Sequence, residues 1–366
     1  MYSPLDPALI GGVRTWLIDF WGRYLNSRNA MLHIVHTATR PSASSDAYRA
    51  LPSHTRVSIE EVAGTALPGS GGRLPRPSAL AGAFRSADVC YFDNGYALQD
   101  AVVLRAARSV SMPVISGHHA VIKFGGLHDI AWELVGRRLI SRFDSVHALN
   151  AKDAQYLKSI GARNVHLIPI AVDLQTFAPK SVRAAQFTVL FVGRLHFQKG
   201  IDRLVRVVEL AQQRAGSRMR FVIAGSGPLL DEVARISDLP TVTVIASADR
   251  GEVAELMANA HALIVPSRYE TFGVVAAEAL AAGTPIVATD TGAMEEMASD
   301  GRGEIIRDAD DPESWFAALS SLHDRYRDDA SFSAIIGANT RGYAEQAFAF
   351  DRVAQAFDAL LQSAMR

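Results

Sequence analysis

The sequence predicts an α/β protein made of two parallel-sheet domains. The chain has 366 residues, enough for two domains of ordinary size. Short apolar runs of strand length alternate with longer segments of helical period, the pattern of parallel sheets with helices on both faces. That alternation lapses over residues 171–186, where periodicity is weak and Pro179 intervenes. This stretch reads as the interdomain linker.

In chain order, residues 1–10 carry Pro4 and Pro7 and have no strand pattern. Gly11-Gly12 opens a helical pattern over 13–25, with Val13, Trp16, Leu17, Phe20, Trp21 and Tyr24 on one face. Residues 31–36 read as a strand. Residues 63–78 are rich in Gly and Pro and read as a flexible loop. Then come a strand at 89–92, a helix at 96–109 and a strand at 113–116 ending at Gly117-His118-His119. A helix at 130–143 carries Arg137, Arg138 and Arg142 toward its C-terminal end, where the helix dipole favours cations. A strand at 146–149, a helix at 151–160 and a strand at 165–168 close the first series. The second series opens with a strand at 188–192 and a helix at 201–212 whose apolar face is Ile201, Leu204, Val205, Val208 and Ala211. Strands at 220–224 and 242–245 and a helix at 252–260 follow. Residues 350–365 form a last amphipathic helix.

Composition narrows the function. Apolar residues are 49% and charged residues 20%, which fits well-filled globular cores. A net charge of −1 gives no electrostatic reason to expect nucleic acid. The single cysteine, Cys90, sits in the apolar run Val89-Cys90-Tyr91-Phe92 and reads as a core residue, so no disulfide framework is expected. No apolar run approaches the ~18 residues of a membrane span, and no secretory leader is visible. The expected location is the cytoplasm.

The most informative stretch is residues 266–289, PSRYETFGVVAAEALAAGTPIVAT. The run Ala262-Leu263-Ile264-Val265 before it is a buried parallel strand. Pro266 ends that strand, residues 267–272 form a loop, and residues 273–282 read as a helix closed by Gly283 and Pro285. Ligands bind such sheets at the carboxyl ends of strands. Glu270 lies in the loop and Glu278 in the helix, roughly 10 Å apart by helical rise. That separation suits the two ends of one elongated ligand. Gly273 lets backbone approach it at a helix N-terminus, where N–H groups attract phosphate. Two solvated glutamates beside a helix is the alternative that the residues alone leave open.

The stretch resembles the Glu-x7-Glu motif of retaining glycosyltransferases of the GT-B fold, family 4 (glycosyl transferases group 1). The matching residues are Pro266-Ser267, Glu270, Phe272-Gly273, Glu278-Ala279, Gly283 and Pro285 to Ala288. The resemblance implies that Glu270 contacts hydroxyls of the donor sugar and that Glu278 holds the ribose diol. Gly193-Arg194-Leu195-x3-Lys199-Gly200 is similar to the family's diphosphate element. A Gly turn, two cations and a helix N-terminus make an anion cradle, since cations there oppose the dipole unless an anion is bound. Arg194 and Lys199 inherit that role. Gly225-Ser226-Gly227-Pro228 matches the turn beside the nucleobase, although a strand-to-helix turn favours glycine anyway. Ile245 stands where the family contacts the base through backbone, and Ala246 departs from the usual Gly. Thr271, Phe272, Gly273 and Val274 complete the donor loop, with the Gly12 backbone opposite. His119 matches the histidine near donor sugar and acceptor, with His118 as a competitor.

Three motifs are set aside. Glu296 reads as mainly structural, because Ala293 and Glu295 replace the family's second Gly and its Pro. Pro169-Ile170-Ala171-Val172-Asp173 departs from the family's linker turn. Asp308-Ala309-Asp310 is formally a metal-type Asp-x-Asp, but it precedes a helix at 312–322, where acidic residues cap. No metal and no cofactor are expected.

The fold implied is GT-B, two doubly wound Rossmann-like domains facing a central cleft. Residues 1–178 form the acceptor-side domain and 179–348 the nucleotide-sugar domain, and the helix within 349–366 crosses back to the first. The activity implied is metal-independent hexosyl transfer with retention, from a UDP- or GDP-linked sugar to a glycan, lipid-linked or small-molecule acceptor. His119, Arg194, Lys199 and Glu270 would be the catalytic set, and the protein would be cytoplasmic, with a peripheral position at the inner membrane face left open. The alternatives are a catalytically silent nucleotide-sugar binder and an epimerase or phosphorylase on the same fold. One family feature is expected to be lacking. The opening strand that normally runs into Gly11-Gly12 has no counterpart in the sequence, as though the chain began roughly 10–15 residues late.

Overall fold

The computed structural model describes residues 1–3, 16, 20–37, 56–66, 73–93, 97–118, 132–180 and 182–366. The chain divides into two compact units, Met1–Ala171 with Phe350–Arg366, and Val172–Ala349.

The first unit is built on a seven-stranded parallel sheet: β1 (Tyr2–Ser3), β2 (Leu32–Thr37), β3 (Val57–Val62), β6 (Cys90–Asp93), β7 (Val114–His118), β8 (Ser145–Ala148) and β9 (Val165–Leu167), in the order β3-β2-β1-β6-β7-β8-β9. Where the sequence leads one to expect no opening strand, β1 occupies the position between β2 and β6. Tyr2 pairs with Val35 on one side and Phe92 on the other, and the Val35 amide donates to Met1 O at 2.8 Å. Two residues satisfy neighbouring backbone groups yet are too few to carry a readable period.

Residues 63–78 also differ from the expected flexible loop. β4 (Gly64–Ala66) pairs antiparallel with β5 (Arg73–Pro75), and α2 (Pro77–Phe84) starts with proline in its first turn, where a missing N–H costs nothing. Of the first helical pattern, Trp16, Phe20, Trp21 and Tyr24 are buried, and α1 (Gly22–Arg28) is its described continuation. The expected helix at 130–143 is segmented: Trp132–Gly136 is π-helical, Arg137–Leu139 α-helical and Ile140–Arg142 3-10. The Trp132 indole lies where a Cβ on Gly136 would be, so a ring occupies the space of the following turn. The helices α3 (Ala97–Arg108) and α4 (Ala151–Ser159) complete this part of the unit, and Cys90 is in its core.

The second unit carries a six-stranded parallel sheet: β10 (Phe187–Val192), β11 (Met219–Ala224), β12 (Val242–Ile245), β13 (Ala262–Val265), β14 (Ile286–Thr289) and β15 (Gly303–Ile306), in the order β12-β11-β10-β13-β14-β15. Renumbered from one, this is the doubly wound order 3-2-1-4-5-6, with its switch point between β10 and β13. β13 and β14 are buried at every position, which is why they read as unbroken apolar runs. The helices are α5 (Ile201–Ala215), α6 (Leu230–Ser237), α7 (Arg250–Asn259), α8 (Val274–Ala281), α9 (Met294–Ala298), α10 (Pro312–Asp328) and α11 (Phe332–Phe348). α5 buries the apolar face expected of it, from Ile201 to Ala215. Before the sheet begins, Arg183 donates to the carbonyl oxygens of Ala258, Ala260 and Gly283 and to Thr284 Oγ1, fixing the incoming chain.

The final helix, α12 (Phe350–Ala364), belongs to the first unit. Its Phe357 ring meets Trp16, Phe20, Trp21, Tyr24 and Tyr91, and Tyr24 donates to Asp358 Oδ1 at 2.6 Å. No helix among the described residues is long and apolar enough to cross a membrane.

Candidate donor site at the switch point of the second unit

The carboxyl ends of β10 and β13 flank the switch point, the place where a doubly wound sheet leaves a crevice. β10 feeds Gly193, Arg194 and a one-turn 3-10 segment, Phe197–Lys199. β13 feeds Pro266 and the loop to Gly273, which caps α8 with a left-handed backbone at φ 88°. The two strand ends therefore bring Lys199 and Glu270 together, although 71 residues separate them. Lys199 Nζ lies 2.5 Å from Glu270 Oε1, and Ser267 Oγ donates to the same oxygen at 2.8 Å. Arg194 is exposed. The Ala276 amide in the first turn of α8 donates to Gly273 O at 2.9 Å, whereas the Val274 and Val275 amides precede the first helical acceptor and can receive an anion.

The loops are fixed from behind. Gly200 has a left-handed backbone, φ 69°, and a Cβ there would overlap Pro266 O. Side-chain-free backbone is thus required where α5 starts against the β13 loop. On the other side, buried Thr289 donates from Oγ1 to Ser267 O at 2.6 Å, and Gly292 lies against the carbonyls of Glu270 and Thr271. In the sequence Ser267 enters only as part of the motif match, with no role of its own, and Thr289 is not singled out. Their signal is position alone, each a hydroxyl residue at the carboxyl end of an apolar run.

Other expected residues have different settings. Leu195 N donates to Ser226 O at 2.8 Å, and Leu229 N donates to Leu195 O at 2.9 Å. A Cβ on Gly225 would overlap Gly193 O, and one on Gly227 would overlap Leu195 O. Loop-on-loop packing alone therefore requires both glycines. Ile245 is half-buried, and its carbonyl accepts from Gly225 N at 2.8 Å. The Phe272 ring is buried and meets Phe348 edge-on at 5.5 Å, so it anchors the loop and leaves only its backbone to face a ligand. Thr271 and Val274 are half-buried, and Glu278 is 8% exposed on α8. Gly12 and His119 lie outside the described residues. His118, the last residue of β7, is buried with its ring 5.4 Å from that of Trp132.

Asp310 pairs with Arg203 at 2.8 Å, while Asp311 caps α10 by accepting from the amides of Glu313 and Ser314. Asp310 of the Asp308-Ala309-Asp310 motif and its neighbour Asp311 thus have structural partners. Glu296 is exposed, with Tyr343 OH at 3.5 Å.

Residues 186–325 match the family model described as glycosyl transferases group 1. That segment spans β10 to α10 and holds the whole switch-point site. This segment belongs to the group 1 glycosyltransferases. Among curated relatives of the chain, a GDP-mannose-dependent alpha-(1-6)-phosphatidylinositol dimannoside mannosyltransferase of Mycobacterium tuberculosis is 34% identical over 175 residues, 45% of this chain and 46% of that one. A D-inositol 3-phosphate glycosyltransferase of Paenarthrobacter aurescens is 32% identical over 199 residues, 49% of this chain and 48% of that one. The chain thus spans about half the length of these curated relatives. The structure of Anabaena HepE in complex with UDP and glucose superposes with a TM-score of 0.74 at 18% identity, covering 99% of this chain and 98% of that one. The chain has the GT-B fold class that its sequence predicts.

Proposed function

We propose that this protein transfers a sugar from a UDP- or GDP-linked donor to an acceptor, with retention of configuration and without a metal or cofactor. The observation that carries the reading is the Lys199–Glu270 pair, 2.5 Å apart at the carboxyl ends of β10 and β13, with exposed Arg194 earlier in the same β10 loop. A cation and a carboxylate at one switch point fit the diphosphate and the sugar of one donor. Arg194, Lys199 and the first turn of α8 would neutralise the departing diphosphate, electrostatic stabilisation of the transition state. Glu270 would hold sugar hydroxyls and Glu278 the ribose diol. The departing phosphate would help to deprotonate the acceptor on the same face of the sugar. By the family resemblance, the Gly12 backbone would help to neutralise the departing diphosphate and His119 would act near the donor sugar.

The named activities of the relatives support a nucleotide-sugar donor, and their inositol-containing substrates make a lipid-linked or phosphoinositol acceptor worth including in assays. A cytoplasmic protein acting at the inner membrane face is compatible with that acceptor class. The test is a thermal-shift screen of nucleotide-sugars, then an assay of released UDP or GDP and the anomeric configuration of the product by NMR. Binding without any release over an acceptor panel would favour a silent nucleotide-sugar binder, and an inverted product would remove the retaining mechanism.

A further inference from the structure

The ladder between β10 and β13 is short. Its registered pairs are Val189 with Ala262 and Leu190 with Leu263, whereas the strands run on to Val192 and Val265. Beyond Leu190 and Leu263 the spacing of the two donor loops is no longer set by sheet hydrogen bonds between these strands. Side chains span the gap instead: Lys199 reaches Glu270, Gln198 reaches Tyr269 O, Arg203 reaches Pro266 O, and Arg268 makes the most bonds across it. The Arg268 amide donates to Gln198 O at 2.8 Å. Its guanidinium donates to Phe197 O at 3.1 Å and to both carboxylate oxygens of Asp202, at 2.7 and 2.8 Å. It also lies over the Phe197 ring, 3.8 Å from the centroid. The link to Arg268 holds the Asp202 carboxyl below the ordinary carboxylate range. These partners, Phe197, Gln198 and Asp202, bracket Lys199 in sequence, and Glu270 is two residues beyond Arg268.

We propose that Arg268 is a positioning residue for donor binding: through Phe197 and Asp202 it sets the separation between the Lys199 loop and the Glu270 loop. The proposal rests on the nucleotide-sugar reading above. Only a planar guanidinium meets a carboxylate through two parallel bonds and stacks on a ring at once, so lysine is no substitute. The link acts on ligands that engage both loops and leaves alone a ligand held at the ribose.

The test is calorimetric titration of the whole protein and of Arg268→Ala, Arg268→Lys and Asp202→Asn. The probes are UDP-glucose, GDP-mannose, UMP and GMP, with melting temperatures recorded in parallel. The wild type binds one of the two nucleotide-sugars. All three variants bind that nucleotide-sugar roughly tenfold or more weaker, while the matching monophosphate changes less than about threefold, because misplacement by a fraction of an ångström penalises the two-ended ligand. Arg268→Ala combined with Asp202→Asn is no worse than the poorer single variant, since both cut the same link. Unchanged nucleotide-sugar affinity would overturn the proposal, as would equal losses for both ligands, which would mean general loosening. A wild type that binds neither nucleotide-sugar would instead overturn the functional reading, and the proposal with it.

Discussion

Gly200→Ala tests the packing that joins the two donor loops. Gly200 ends the 3-10 turn carrying Lys199 and caps α5, with a left-handed backbone that costs an L-residue roughly 1–2 kcal/mol. Its Cβ would overlap Pro266 O, a backbone atom with no rotamer by which to escape. The two atoms would have to separate by roughly 1 Å or more to reach ordinary contact. That movement disturbs the Arg203 bond to Pro266 O at 3.2 Å, worth about 1 kcal/mol. The combined loss is about 2–4 kcal/mol, within the range for strain at a special backbone position. For a unit of this size it lowers the melting temperature by roughly 5–15 °C. Calorimetric melting of wild type and variant measures it, with Gly342→Ala as the opposite control. Gly342 lies inside α11, nothing stands within 4 Å of its would-be Cβ, and its φ is not positive. Alanine there stabilises by roughly 0.5–1 kcal/mol. If Gly200→Ala melts within about 1 °C of wild type, the close approach of α5 and the β13 loop is wrong.

Glu278→Ala should weaken binding of free UDP or GDP, whereas Glu270→Ala should spare the free nucleotide and weaken the nucleotide-sugar; equal loss of free nucleotide in both, by calorimetry, would reverse the assignment of ends. Stability of the second unit should fall with acid through His261. Burial, then the charges of Arg183 and His323, lower this histidine to about 4, and its Nδ1 accepts from Thr188 N at 3.1 Å. The unfolded chain takes up the proton below its ordinary value of 6.5, while the folded chain resists until about 4. The stabilisation is therefore full above 6.5 and is lost as pH falls through that window, on the order of 3 kcal/mol in all. Denaturant titrations from pH 7.5 to 4 should show this slope in wild type and a shallower one in His261→Gln; parallel slopes would clear His261 of the effect.

The sequence was most readable where burial is total. Ala262–Val265 and Ile286–Thr289 are continuous apolar runs because both faces of the sheet are covered, and Gly273 and Gly283 punctuate the helix between them. Tyr2–Ser3 could not be read, since a strand of that length has no period and is held by neighbours distant in sequence. β4 and β5 were hidden by Gly and Pro that serve the ends of a hairpin. α11 escaped because Gly337 and Gly342 dilute its helical signal, although Gly337 packs closely beside Gly283. At the site, Lys199 and Glu270 were legible through local patterns, because each sits in a loop of recognisable spacing. Arg268 was not, since a bond to Asp202 across 66 residues leaves no local trace. Gly225 and Gly227 carried an ambiguous signal, as close backbone approach demands glycine whether the neighbour is a ligand or another loop.

The most direct test of the central claim is release of UDP or GDP from nucleotide-sugars, in the presence of an acceptor panel, by wild type and Lys199→Ala at matched folded concentration. Loss of Lys199 removes the charge partner of Glu270, which keeps the Ser267 Oγ bond, so melting temperatures are recorded beside the rates to separate folding from turnover. The account predicts release by the wild type and a rate roughly 10²-fold or more lower in the variant, because one preorganised contact to developing diphosphate charge is removed. Equal rates in the two proteins, both folded, would contradict it.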